Sequence, residues 1–189
     1  MSKKGLNLLV YAYATSMFSS GILTPIYAFF IQKIGGGILE TSCAISLFSI
    51  TSGIVALLIY RTKWSHTYQQ ECLCVGWFLW LISIFMYCYI TTLTMLFLSQ
   101  VFNGLGNALL ASAYDAEYSK QTIHDLAGGW SIWEGVTAIV TGLAAASGGF
   151  IATRYGFNVL MICMTGMAVI SFLLILLYVY REKAKTKNI

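Results

Sequence analysis

Six stretches of this chain are each long and apolar enough to cross a lipid bilayer as a helix. A hydrocarbon core about 30 Å thick needs about 20 mostly apolar residues per helix. The six stretches are residues 6–32, 41–60, 72–91, 93–114, 129–152 and 157–180, and we number them span 1 to span 6. Because backbone polar groups in lipid must be hydrogen-bonded within the segment, helices are the structure that such runs adopt. The sequence therefore predicts an all-α membrane protein with a single six-helix domain over residues 1–189.

The composition agrees with a membrane protein rather than with a soluble domain. Apolar residues make up 58% of the chain and charged residues 10%, whereas soluble domains carry about 25% charged residues. The net charge of +4 comes from short loops and tails, so it does not indicate a nucleic-acid partner. Cys72 and Cys74 lack a histidine or a second cysteine pair at metal-ligand spacing. No metal and no cofactor is therefore expected.

The distribution of lysine and arginine predicts the orientation of the spans. Basic residues on one side of the predicted topology are Lys3, Lys4, Arg61, Lys63, Lys120, Arg181, Lys183, Lys185 and Lys187, and those on the other side are Lys33 and Arg154. Cytoplasmic loops carry the excess of positive charge, so both termini are expected in the cytoplasm. The first apolar run has no small-residue cleavage site, which favours a retained span over a signal peptide. The predicted location is the cell membrane, or the cytoplasmic membrane in a bacterium.

Span 4 carries three amide side chains on one face of an otherwise apolar helix. Gln100, Asn103 and Asn107 follow one another at spacings of three and four residues, which places them on one stripe. Amides in lipid are costly and are kept where they line water, a substrate path or a neighbouring helix. Gly104 and Gly106 would let another backbone approach closely. We predict that the amides bind a substrate, and the alternative is that they only hydrogen-bond between helices.

Span 1 has hydroxyl groups that would border the same cavity. Ser16, Ser19 and Tyr27 share a helix face, and we predict that they complete the substrate-binding wall. The alternative for the serines is a stripe of small residues that packs against another helix. Pro25 cannot donate a backbone hydrogen bond, so we expect a bend there.

Glu134 is the one ionisable group that the sequence places clearly inside a span. It lies about six residues past the predicted start of span 5, hence about 9 Å deep at 1.5 Å per residue, and we expect it to meet Asn107. A buried carboxylate is costly unless it is paired, hydrated or protonated, so the prediction is an ion- or proton-coupling role. The alternatives are that Glu134 reaches the headgroups or caps the helix.

The order of the helices and three local patterns resemble one six-helix half of a major facilitator superfamily transporter. Residues 100–106 (QVFNGLG) are similar to the fourth-helix pattern of an arginine followed by G-x-G, with Gln100 at the arginine position. Residues 141–149 (TGLAAASGG) are similar to the fifth-helix antiporter motif. Arg61 stands where the family has the basic residue of its gating loop. By this resemblance, Arg61 would form a cytoplasmic gate with Asp115 or Glu117.

The resemblance implies half of a fold built from 3+3 helix repeats, with a second bundle to complete it. Both halves of such transporters have the same orientation, so we expect a secondary active transporter of a small solute that forms a parallel homodimer with the cavity between protomers. The alternatives are a heteromeric partner, an inactive half, and a non-transporting membrane partner or regulatory subunit of a larger complex. His66 and His124 lie outside any catalytic motif, and an enzyme is not expected.

Overall fold

Six membrane-length helices make up most of the chain. The computed structural model describes residues 3–62 and 68–186, so Lys63, His66 and Lys187, named above, lie outside the described residues. Every element assigned in the described part is helical, and six segments are long and apolar enough to span a membrane. These spans are Gly5–Lys33, Ile38–Thr62, Gln69–Met86, Leu93–Gln121, Leu126–Tyr155 and Phe157–Ala184. The predicted all-α fold with six spans is confirmed.

Span 1 is interrupted where the sequence predicted a bend. A helix over Lys3–Gly21 is followed by a 3-10 turn over Thr24–Ile26 and a short helix over Tyr27–Lys33. Proline has no backbone N–H and its ring clashes with the preceding turn, so the α-helical hydrogen bonds cannot continue through Pro25. Instead, the Leu23 N–H donates to the Ser20 carbonyl at 3.2 Å. Tyr27 consequently sits on a separate helical piece.

Spans 4 to 6 run longer than predicted, and two of them are almost continuous. Span 4 extends to Gln121 rather than to residue 114, so Asp115 and Glu117 belong to the helix. Spans 5 and 6 are separated only by Gly156, which has φ 84° and ψ 172°. That conformation is readily available only to glycine. Gly5 lies beside Glu182, so both ends of the described chain meet at one end of the bundle, which we call the terminal end.

Glycines set the closest crossings around span 4. A Cβ atom added to Gly106 would lie 2.7 Å from the Trp80 backbone nitrogen, and one added to Gly76 would lie 2.7 Å from that of Leu110. On another face of span 4, a Cβ atom on Gly104 would lie 2.8 Å from the Phe48 carbonyl oxygen. Spans 3 and 2 therefore approach span 4 backbone to backbone. The prediction that Gly104 and Gly106 permit close approach is confirmed.

Spans 3 and 6 carry few polar residues, yet they are more buried than spans 2 and 5. Of the most apolar 18 residues of each span, 39% are buried in span 3 and 33% in span 6, against 11% in spans 2 and 5. Trp77 of span 3 donates its indole N–H to Ser171 of span 6 at 2.8 Å, and Ser171 donates to the Ala12 carbonyl of span 1 at 2.6 Å. Spans 3 and 6 can thus be buried with few polar residues, because a buried helix face needs only a complementary shape and a few satisfied hydrogen bonds.

Candidate functional site

A cavity of about 450 Å³ opens between spans 1, 2, 3, 4 and 6. Span 1 packs mainly on the last two spans and span 2 packs on span 4, so the Lys3–Gly21 helix and span 2 stay apart. The gap between them is where the cavity lies. Its lining consists of Met17, Ser20, Leu23, Thr24, Tyr27, Ile45, Phe48, Trp80, Ile84, Tyr87, Gln100, Asn103, Asn107 and Met164.

Gln100 of span 4 links span 1 and the end of span 3 through hydrogen bonds at one side of this cavity. Its side-chain nitrogen donates to the Tyr27 hydroxyl at 2.8 Å and to the Tyr87 hydroxyl at 2.6 Å. Gln100 is only 5% exposed, and an amide nitrogen has two protons to give. Both are therefore used within the protein. Tyr87 could not be picked out from the sequence, because residues 72–91 around it contain no amide and no charged side chain.

The two asparagines of span 4 differ in how much of their hydrogen-bonding capacity is used. Asn107 donates from Nδ2 to the Ser52 hydroxyl of span 2 at 2.9 Å, which is the interhelical role left open by the sequence. Asn103 lines the cavity half-buried, and its side chain makes no hydrogen bond to the described residues. Asn103 therefore has both an amide donor and an amide acceptor available to a ligand.

The serines predicted to border the cavity lie on a different stripe of span 1. Ser19 is fully buried and donates to the Met164 carbonyl of span 6 at 2.8 Å, while Ser16 bonds a carbonyl of its own helix. Ser20 and Thr24 line the cavity instead. Neighbouring residues on an α-helix point about 100° apart, so the turn toward span 6 that buries Ser19 brings Ser20 toward the opening. Ser16 and Ser19 are therefore buried in the bundle, and neither is among the residues that line the cavity.

Glu134 lies on the exposed face of span 5 and does not line the cavity. The adjacent Trp133 points into the bundle, where its ring lies 5.2 Å from that of Tyr13. Consecutive side chains on a helix point about 100° apart, so Glu134 does not share the inward direction of Trp133. The expected contact between Glu134 and Asn107 is not formed.

The predicted gate between Arg61 and the acidic residues of span 4 is not formed either. Arg61 is exposed and makes no ion pair within residues 3–62 and 68–186. Glu117 is buried and accepts a hydrogen bond from the Tyr178 hydroxyl at 2.6 Å, with Lys120 at 3.6 Å. Asp115 is exposed. Glu117 therefore pairs with Tyr178 of span 6 and with Lys120 rather than with Arg61.

Other polar contacts hold the terminal end together. Lys183 of span 6 pairs with Glu71 of span 3 at 2.8 Å, and Lys120 of span 4 contacts the side-chain oxygen of Gln69. No local sequence motif predicts these pairs, because the two residues of each pair lie far apart in the sequence. In the described part of the chain, no group of three or more His, Cys, Asp or Glu side chains is placed to hold a metal ion.

Comparison with known proteins gives one match. The sequence model of the Major Facilitator Superfamily matches residues 9–189. The curated proteins and the solved structures that were searched contain no match to the chain.

Proposed function

The chain belongs to the Major Facilitator Superfamily, and from this premise we propose that it is a secondary active transporter of a small solute that works as a parallel homodimer. The family consists of membrane transporters, so transport by a multi-pass membrane protein is the general function. The observation that carries the proposal is the cavity, because it collects the amides of span 4 in the gap between spans 1 and 2. We expect the terminal end to face the cytoplasm.

The substrate would bind to the polar side of this cavity. Asn103 supplies an unused amide group, Asn107 supplies the part of its amide that Ser52 does not use, and Gln100 holds Tyr27 in place. Thr24 extends the polar wall from span 1. Amides in an apolar helix are retained where a ligand or water uses them, and transporter sites often lie beside discontinuous helices near the bilayer midplane. The interruption of span 1 next to this cavity supports the same site.

The depths at which exposed charged side chains lie in the bundle support a second copy of the chain as the partner. Asn107 bonds to Ser52, and spans 2 and 4 run in the same direction. Nine residues further on, Arg61 of span 2 reaches the level of residue 116 of span 4 and hence of Asp115. A basic and an acidic residue are thus both exposed at one level near the terminal end.

Glu134 lies at the same level as Arg61. Tyr114 and Trp133 both pack against Tyr13, with ring centroids 4.6 Å and 5.2 Å away, which aligns spans 4 and 5. Span 2 therefore exposes a cation and span 5 an anion at one depth. A two-fold axis along the membrane normal would bring span 2 of one protomer to span 5 of the other and place Arg61 beside the partner's Glu134. An unpaired carboxylate facing lipid would be unfavourable.

Charge reversal tests the proposed dimer. In lipid nanodiscs, the mass of the wild-type chain is expected to be that of two protomers, while Arg61→Glu shifts it toward one protomer by placing like charges together. The double variant Arg61→Glu with Glu134→Arg should restore the dimer. Arg154→Glu is the matched control and should leave the dimer intact, because this exposed arginine lies at the opposite end of span 5 from Glu134. A monomer in the wild type would contradict the proposed assembly.

Uptake tests transport itself. Proteoliposomes are incubated with a mixture of small solutes, and their contents are analysed by mass spectrometry against empty liposomes. At least one solute should accumulate, and Asn103→Leu should lower its uptake about tenfold, since one lost hydrogen bond to a buried ligand group is worth about 1.5 kcal/mol. Arg154→Gln serves as the control. Equal contents in filled and empty liposomes would contradict transport of the solutes in the mixture. The coupling role of Glu134 stays a prediction, and Glu134→Gln in the same assay across pH tests it.

A further inference from the structure

We infer that the cavity takes an uncharged, mostly apolar solute that carries one or a few hydroxyl or amide groups. This inference rests on the proposed function, because it names the substrate class of the same cavity. The sequence alone left sugars, amino acids, cations and amphipathic compounds open, since it placed a carboxylate near the amides. The position of Glu134 outside the cavity removes that carboxylate from the site.

The lining offers no charged partner. None of the described residues around the cavity is an aspartate, glutamate, lysine, arginine or histidine. A charged solute that enters an apolar site loses its hydration and, without a counter-charge, binds poorly. In the proposed homodimer the second wall is the same set of residues by symmetry, so the partner would add no charge to it. Organic cations and carboxylates are therefore disfavoured as substrates.

The unused hydrogen-bonding groups define the polar part of the solute. Ser20 and Thr24 donate their hydroxyl protons to carbonyls of their own helix, so their oxygens remain as acceptors. Asn107 uses one of its two Nδ2 protons on Ser52, which leaves one N–H donor and the carbonyl oxygen. Asn103 can both donate and accept. The lining therefore offers both acceptors and donors, which complement the O–H, N–H and carbonyl groups of an alcohol or an amide.

Apolar and aromatic side chains define the rest of the solute. Phe48 and Trp80 supply ring faces, while Met17, Ile84 and Met164 supply flexible or branched apolar surface. A volume of about 450 Å³ lies within the range of about 300–1,000 Å³ that is usual for small-molecule sites. The walls suit a ring or short hydrocarbon body better than a polyol whose every face needs hydrogen bonds.

A matched series on one scaffold tests this inference without requiring transport. The probes are 3-phenylpropanol, 3-phenylpropanamide, 3-phenylpropylamine and 3-phenylpropionate, which share a ring and linker but differ in charge. Equilibrium binding to the protein in nanodiscs is measured at neutral pH by dialysis against empty nanodiscs. The alcohol and the amide should bind at least about tenfold more tightly than the amine and the carboxylate. Equal or tighter binding of a charged probe, or no binding of any probe, would overturn the inference.

Two substitutions with opposite expectations sharpen the test. Asn103→Asp places a carboxylate in the lining and should reverse the preference toward the amine, whereas Arg154→Gln, outside the lining, should leave the preference unchanged. If the wild type prefers the amine and Glu134→Gln abolishes that preference, the carboxylate reaches the ligand and the proposed substrate class is wrong. Because binding and uptake are measured separately, selective binding without uptake would contradict the transporter proposal and leave the ligand class standing.

Discussion

Two adjacent glycines in span 5 allow the packing of span 1 to be tested with the smallest possible change. Gly148 is buried against the interruption in span 1, and a Cβ atom there would lie 2.7 Å from both the Ile22 carbonyl carbon and its Cα, and closer still to the carbonyl oxygen. Gly149 has nothing within 4 Å of the corresponding position. Gly148→Ala and Gly149→Ala therefore add the same methyl group to neighbouring residues in different surroundings.

The expected difference in stability follows from these distances. Ordinary contacts of a Cβ atom begin at about 3.4 Å, so Gly148→Ala must push spans 1 and 5 apart by at least about 0.7 Å. The atoms in the way belong to the backbone and cannot rotate aside. Forcing a methyl group into a packed contact costs about 1–3 kcal/mol, and we expect the upper part of this range. Gly149→Ala should be neutral or stabilising by up to about 1 kcal/mol, because alanine favours the helix more than glycine does.

Unfolding of both variants in mixed detergent micelles measures the difference directly. The free energy of unfolding of Gly148→Ala should fall below that of Gly149→Ala by about 2–3 kcal/mol, because the gain in helix propensity is common to both variants and cancels in the difference. Circular dichroism of the folded variants checks that the helix content is the same. Free energies within about 0.5 kcal/mol of each other would refute the close crossing of spans 1 and 5 at this point.

Two further substitutions test individual hydrogen bonds in the same unfolding assay. Trp77→Phe removes the donor to Ser171 and should lower the free energy of unfolding by about 1–2 kcal/mol, and an unchanged value would show that this bond contributes nothing. Gln100→Met leaves two tyrosine hydroxyls without their amide donor and should cost about 1–3 kcal/mol. Gln32→Met, at an exposed position, is its control and should stay within about 0.5 kcal/mol of the wild type; equal effects at the two positions would contradict the network.

Features that depend on helical spacing alone could be predicted from the sequence. Gln100, Asn103 and Asn107 share a stripe in any α-helix, and the structure brings all three to one cavity. Gly104 and Gly106 likewise permit close approach whichever neighbour arrives, and both are used. The six spans follow in the same way from the lengths of the apolar runs.

Features that depend on which neighbour arrives could not be predicted in this way. Ser19 and Ser20 are equally polar and lie side by side, and only the position of span 6 decides that Ser19 is buried and Ser20 lines the cavity. Similarly, Trp133 and Glu134 are adjacent near the start of span 5, and the ring packing of Trp133 against Tyr13 turns the carboxylate outward. Periodicity gives the angle between two side chains, while the rotation of the whole helix comes from tertiary packing.

The connection at Gly156 limits how the bundle can rearrange. With one residue between them, spans 5 and 6 share a tether that has no spare length, so neither can slide along the other by a helical turn, about 5.4 Å. Span 2, by contrast, is joined to span 3 through several residues after Thr62. Spans 5 and 6 would therefore move together in any cycle of opening and closing. A sliding of one span along another would have to involve span 2, whose connection to span 3 is longer.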